Sequence, residues 1–214
     1  MMCPFCYIGK RKFELALNQF ENKKDIEIVW KSFQLNPHMK TDPNKNINQY
    51  LAEIKGWPLD QAKKMNERVT AMAREVGLHY DFDKAVVANS FDAHRLIQLA
   101  KKHGKGDAAE EALFKAYFTE GKNIAYHPTL VEVGSDLGLD KNEVTQMLRS
   151  DLFAKEVEQD VLQAQEYGAR GVPFFVMNGK YGVSGAQPSE VFAEVLEKSF
   201  SDWIRSVGVG NSNM

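Results

Sequence analysis

Cysteine is scarce: Cys3 and Cys6 are the only two in 214 residues, which excludes a disulfide framework and any zinc site built from cysteine alone. No stretch approaches the ~18 consecutive apolar residues of a membrane-spanning helix. With 27 basic and 29 acidic residues the formal charge is -2, so the basic excess that marks a nucleic-acid or anionic-membrane surface is missing as well. No leader of basic, then apolar, then small residues precedes Cys3. Fixed-period repeats and low-complexity linkers are equally absent. The expectation is a cytoplasmic chain of one domain, with or without a large insertion, whose partners are small molecules or proteins rather than nucleic acid or membrane.

What is present begins at "CPFC". The residues that follow, "YIGKRKFELALNQF", put Phe13, Leu17 and Phe20 on one helical face, and Pro4 suits a first helical turn, where its missing N–H would be unpaired anyway. Cys3 then falls at the N-cap, where it is expected to be the one thiol with access to solvent. Unpaired backbone N–H groups and the positive end of the helix dipole stabilise a thiolate there, lowering its pKa from about 8.5 toward neutrality. Cys6 lies one turn deeper on the same face, in reach of the Cys3 sulfur. That is the geometry of an attacking and a resolving thiol. The competing reading, half of a metal site, needs two further ligands. The histidines His38, His79, His94, His103 and His127 form no closely spaced pair to supply them.

Along the chain, "KDIEIVW" alternates Ile26, Ile28 and Trp30 and predicts a strand over 26–33 that ends before Pro37. From about Asn46 to Gly168 the period turns helical, and Gly56, Gly77, Gly104, Gly121, Gly138 and Gly168 read as C-terminal stops. Thr129 with Glu132, and Asp140 with Glu143, read as helix starts. Phe174–Met177 and Tyr181–Ser184 flank "NGK" as a hairpin, and Pro188 opens a last helix with Val191, Phe192 and Val195 inward. The division is thus 1–38, a helical insertion over 39–169, and 170–214.

Five stretches in register, "CPFCYIGK", "SFQLNP", "NSFDAHRL", "LFKAYFTEGKNI" and "GVPFFVMNGKYGVSGAQP", resemble the DsbA-like thioredoxin-fold oxidoreductases of the FrnE type over nearly the whole chain. The resemblance implies an α/β, thioredoxin-like fold with a large helical insertion, and a thiol–disulfide oxidoreductase without a cofactor. By the family pattern, Cys3 attacks, Cys6 resolves, and a cis Val172-Pro173 bond beside Cys3 holds an extended substrate segment through its backbone. It further implies thiol or disulfide substrates, protein or small-molecule, and an unidentified redox partner; a homodimer is compatible with it. Because "PF" lacks a histidine between the cysteines, the expected potential lies between those of thioredoxin and DsbA.

One departure stands at the front. That fold runs a central strand into the CxxC helix, between the segments assigned to 26–33 and 174–177, and two residues at ~3.3 Å each are too short to form it. The first strand is therefore expected to be missing from this sequence, with the natural chain starting upstream of Met1. Among other residues, His94 is expected to pack between subdomains rather than act in catalysis. Phe114, Tyr117 and Phe118 are expected in the core, Met65 and Met72 as core gap-fillers, and Lys10, Arg11 and Lys12 as solvated. Two other functions are compatible with the pattern: a glutathione-dependent isomerase or transferase of the kappa-like class, and a non-enzymatic, chaperone-like binding protein.

Overall fold

Pro4 starts the first helix as its ring dictates, and Phe20 ends it in an extended conformation, giving α1 over Pro4–Gln19. The computed structural model describes residues 2–210. After a short 3₁₀ turn at Lys23–Asp25 the elements are β1 (Asp42–Asn46), α2 (Ile47–Lys55), α3 (Leu59–Glu75), β2 (Val86–Val87), α4 (Phe91–Lys102) and α5 (Gly106–Phe118). There follow α6 (His127–Asp136), α7 (Lys141–Leu148), α8 (Ala154–Glu166), β3 (Phe174–Met177), β4 (Tyr181–Ser184) and α9 (Ser189–Gly210). No described helix is long and apolar enough to cross a membrane.

The six predicted glycine stops all have positive φ, from 63° at Gly56 to 78° at Gly77. Gly121 is required twice over, because a Cβ there would also lie 2.3 Å from the Lys84 Cβ. Asp140 caps α7 by accepting from the Glu143 N–H. The start expected at Thr129 is displaced: α6 begins at His127 with Pro128 in its first turn, so Thr129 is already helical. The hairpin forms in the predicted register, Phe174 opposite Ser184 and Met177 opposite Tyr181, closed by Asn178 and Gly179 at positive φ.

The strand expected over 26–33 does not form, and this corrects the sequence reading. The segment leaves Ile28 40% and Val29 52% exposed. A strand is defined by hydrogen bonds to a neighbour, and across from this run lies a cleft of about 710 Å³ whose opposite wall is β3. β3 itself pairs only with β4 among the described residues. The cleft occupies the place where a central strand was expected between the two segments. A short β1–β2 ladder, Asp42 with Val87 and Asn46 with Val86, was not foreseen; it pins the start of α2 to the run before α4.

Two apolar clusters hold these elements. The larger joins Tyr7 and Ile8 of α1 to Leu96, Leu99, Leu113, Phe114, Tyr117 and other residues of the helical block. The smaller packs Ala16 and Phe20 of α1 against Val183, Phe192 and Leu196. One helix therefore belongs to both, its amino-terminal half in the helical core and its carboxy-terminal half on β4 and α9. Phe114, Tyr117 and Phe118 are core as expected, whereas Met65 and Met72, each 37% exposed, are not gap-fillers: they sit on the outer face of α3.

Candidate active site

Cys3 occupies the N-cap of α1 with φ -92° and ψ 114°, extended as a cap must be, and its carbonyl accepts from the Cys6 N–H at 3.0 Å. Its side chain makes no cap hydrogen bond of its own, but the first-turn amides of Cys6 and Phe5 act on its sulfur. A hydrogen bond from the Cys6 thiol is the largest influence on Cys3; the amides of Cys6 and Phe5 add to it against burial, and together they bring its pKa from 9.0 down to about 7. The same bond works the other way at Cys6. Donating to Cys3, burial, and the Cys3 charge all push the Cys6 thiol well above 9.0.

The Val172-Pro173 bond is cis, and the Cys3 thiol donates to the Val172 carbonyl at 3.4 Å, so the structure brings Cys3, Cys6, Val172 and Pro173 together. Two features seat α1 against this loop. Gly9 approaches so closely that a Cβ would lie 3.2 Å from both Pro173 Cγ and Phe175 Cζ. The Pro173 carbonyl is fixed by the Gly185 N–H at 2.9 Å. On the other flank the Tyr80 hydroxyl donates to the Pro4 carbonyl at 2.7 Å, tying the first turn of α1 to the helical block.

Accessibility runs against expectation. Cys3 was expected to be the solvent-facing thiol, yet it is 7% exposed, while Cys6 is only partly buried and opens onto the cleft. The basic run is corrected too. Lys10 is 3% exposed rather than solvated, and pairs with Glu14, Asp107 (3.3 Å) and Glu111 (3.2 Å). Burial alone would lower its pKa, but those three carboxylates outweigh it, hold the ammonium and raise the pKa. Arg11 bonds Glu111 and Glu14, and the Tyr7 hydroxyl donates to Glu111 as well. Lys12 donates to the Ala186 carbonyl at 3.2 Å. This network locks α1 onto α5 beside the cysteines.

The cleft carries groups that the sequence reading did not place there. Trp30 borders it and donates to Asp107 at 2.7 Å. His94 lines it as a buried imidazole, 2% exposed, whose ring nitrogens have no partner among the described residues and which burial keeps neutral. Glu110 was missed altogether. It is 6% exposed, on the face of α5 that also carries Ala109, Leu113, Phe114 and Tyr117, and burial lifts its pKa from 4.5 to about 7. The available signal was a glutamate at an apolar position of an amphipathic helix. Among the described residues no three His, Cys, Asp or Glu side chains gather at metal-binding spacing.

With this geometry in hand, likeness to known proteins carries weight. The DSBA-like thioredoxin domain family matches residues 1–197. The uncharacterized protein YwbO of Bacillus subtilis (strain 168) is 28% identical over 206 residues, covering 94% of this chain and 92% of its own length. The crystal structure of the probable DsbA oxidoreductase SCO1869 from Streptomyces coelicolor superimposes with a TM-score of 0.89 at 36% identity, over 93% of this chain and 86% of that one. The cytosolic disulfide reductase DsbM from Pseudomonas aeruginosa, solved with GSH, shares the fold with a TM-score of 0.64 at 17% identity, over 94% and 95%.

Proposed function

Because the chain belongs to the DSBA-like thioredoxin domain family, we propose that it is a thiol–disulfide oxidoreductase in which Cys3 attacks a protein or small-molecule disulfide and Cys6 resolves the mixed disulfide. One observation carries this reading: the sulfur with the lowered pKa, about 7, is the one 3.4 Å from the Val172 carbonyl of the cis-proline loop. Near neutral pH about half of Cys3 is thiolate, the species that attacks. Losing the S–H also frees the Val172 carbonyl, so ionisation of the nucleophile exposes an acceptor for the backbone N–H of an extended substrate segment. After attack, the Cys6 sulfur, one turn away, displaces the substrate thiolate from Cys3 and closes the Cys3–Cys6 bond.

We place the protein in the cytoplasm, the compartment of the structurally similar cytosolic disulfide reductase DsbM, and expect a separate redox partner. A cleft of about 710 Å³ beside Cys6 also has the size of a small-molecule site, which favours as second reading a glutathione-dependent isomerase or transferase. The test separates them. Cys6→Ser exposed to glutathione disulfide should accumulate a Cys3–glutathione adduct visible by mass, the wild type should pass on to an internal disulfide, and Cys3→Ser should do neither. Full disulfide exchange by Cys3→Ser would overturn the proposal, and isomerase or transferase activity without any Cys3–Cys6 disulfide would favour the second reading.

A further inference from the structure

Among the described hydrogen bonds, the only one from the helical block to the dipeptide between the cysteines is donated by the Tyr80 hydroxyl, which reaches the Pro4 carbonyl at 2.7 Å. We propose that Tyr80 is a positioning residue for the attacking thiol: acting through the Pro4–Phe5 peptide unit, its hydroxyl strengthens the Phe5 N–H that stabilises the Cys3 thiolate. The inference deepens the oxidoreductase reading above and rests on it.

The connection is covalent and short. The Pro4 carbonyl and the Phe5 N–H are the two ends of one amide. A donor on the oxygen draws electron density from the nitrogen, so the N–H becomes the stronger donor, as in any series of hydrogen bonds. The Phe5 N–H is one of the two amides that act on the Cys3 sulfur. Inside a helix a carbonyl finds its partner in the N–H four positions on, which uses one of its two lone pairs. Tyr80 occupies the other, so its bond is not needed to satisfy the Pro4 oxygen.

The phenol is held for this contact. Tyr80 is buried, stacks on Phe118 with ring centroids 4.9 Å apart and on Tyr7 at 6.2 Å, and meets Phe82 edge-on at 5.6 Å. The next N–H along, that of Asp81, donates to the Phe118 carbonyl at 2.7 Å and fixes the backbone to the end of α5. Burial above all, then the charges of Tyr7, Cys3 and Cys6, push the Tyr80 pKa up against the pull of Arg11. The hydroxyl therefore keeps its proton, and remains a donor, wherever Cys3 ionises.

Packing gives a weaker account of the contact. A buried phenol needs a partner, and Tyr117, in the same aromatic cluster, finds one within the helical block by donating to the Val86 carbonyl at 3.0 Å. Tyr80 instead crosses to α1, at the residue next to the nucleophile. Nor is it needed to fasten the helix, because Lys10, Arg11 and Tyr7 already bind α1 to Glu111 of α5.

Tyr80→Phe removes the hydroxyl and keeps the ring, while Tyr117→Phe removes a matching hydroxyl-to-carbonyl bond that does not involve α1. Two readouts follow: the ultraviolet absorbance of the Cys3 thiolate against pH, and the equilibrium of the reduced protein with glutathione disulfide at pH 8. Cooperativity of about 10–30% in a charge-assisted bond corresponds to about two- to threefold in Cys3 acidity. In Tyr80→Phe the midpoint should thus rise from about 7 to about 7.3–7.5. The equilibrium should move toward the Cys3–Cys6 disulfide by the same factor, a potential lower by about 9–14 mV at ~30 mV per tenfold. Tyr117→Phe should leave both where the wild type has them. A fluorotyrosine at position 80, whose hydroxyl is the stronger donor, should move the midpoint the other way, which holds the test open if Tyr80→Phe does not fold. An unchanged midpoint in Tyr80→Phe would overturn the proposal, and so would an equal rise in Tyr117→Phe. A wild type that forms no Cys3–Cys6 disulfide with glutathione disulfide would instead sink the oxidoreductase reading, while the titration still decides the role of Tyr80.

Discussion

Replacing Gly9 tests whether α1 is seated on the proline loop, the contact that sets Cys3 against Val172. A Cβ at Gly9 would lie 3.2 Å from two atoms at once, Pro173 Cγ and Phe175 Cζ. Alanine would gain up to about 1 kcal/mol of helix propensity and lose about 1–3 kcal/mol to overpacking, leaving Gly9→Ala near neutral to mildly destabilised. Valine brings two more methyl groups to a wall that already closes on the first, and its β-branch forfeits part of the propensity gain. We expect about 2 kcal/mol lost in Gly9→Val, a fall of roughly 4–8 °C in Tm for a chain of this size. The functional effect should exceed the stability effect. A helix pushed off Pro173 carries Cys3 away from the Val172 carbonyl, and a shift of about 1 Å can cost up to about 10²-fold in rate. The assay is disulfide exchange measured well below both unfolding transitions, with Leu15→Ala on the exposed face of the same helix as the control. Unchanged Tm and unchanged exchange in Gly9→Val would refute the seating of α1 on the loop.

Glu110 should also mark the pH dependence of stability. Its folded pKa is raised, from 4.5 to about 7, so the folded state holds the proton more tightly and stability falls as pH rises between those values. At about 1.4 kcal/mol per unit the loss approaches about 3 kcal/mol, and Glu110→Gln should match the wild type near pH 4 and exceed it by about that amount at pH 8 in urea unfolding. A difference independent of pH would contradict the burial. Arg95, 4% exposed, donates to the carbonyls of Met147, Ser150 and Leu152 and pairs with Asp92 at 2.7 Å. Arg95→Ala leaves those acceptors unpaired and should cost about 3–5 kcal/mol by the same assay; a loss below about 1 kcal/mol would show that water replaces the guanidinium.

How far the sequence discloses the molecule follows from how local each signal is. Gly56 through Gly168 announce helix ends because a left-handed residue is a property of one position, and "NGK" fixes its hairpin for the same reason. The Val172-Pro173 loop is legible through the family resemblance, not through any local rule. Residues 26–33 alternate as a strand does, yet a strand also needs a hydrogen-bonded neighbour, and no alternation reveals whether one is there. The fates of Lys10 and Glu110 are settled by α1 meeting α5, nearly 100 positions along the chain. A charged residue looks solvated until its partners are known, which is why the pairing of Lys10 and the isolation of Glu110 both emerge only from the fold.

Alkylation of the reduced protein tests the central claim most directly, because access and ionisation make opposite forecasts. Residue exposure favours Cys6, which is only partly buried and lines the cleft, while Cys3 is 7% exposed but has its pKa lowered to about 7. The thiolate is the reactive species, so ionisation should win. With iodoacetamide and peptide mass analysis between pH 5 and 9, the account predicts that Cys3 is labelled first throughout and that its rate rises with a midpoint near pH 7. Labelling of Cys6 first, or of both cysteines together with the midpoint of about 8.5 that free cysteine shows, would contradict it.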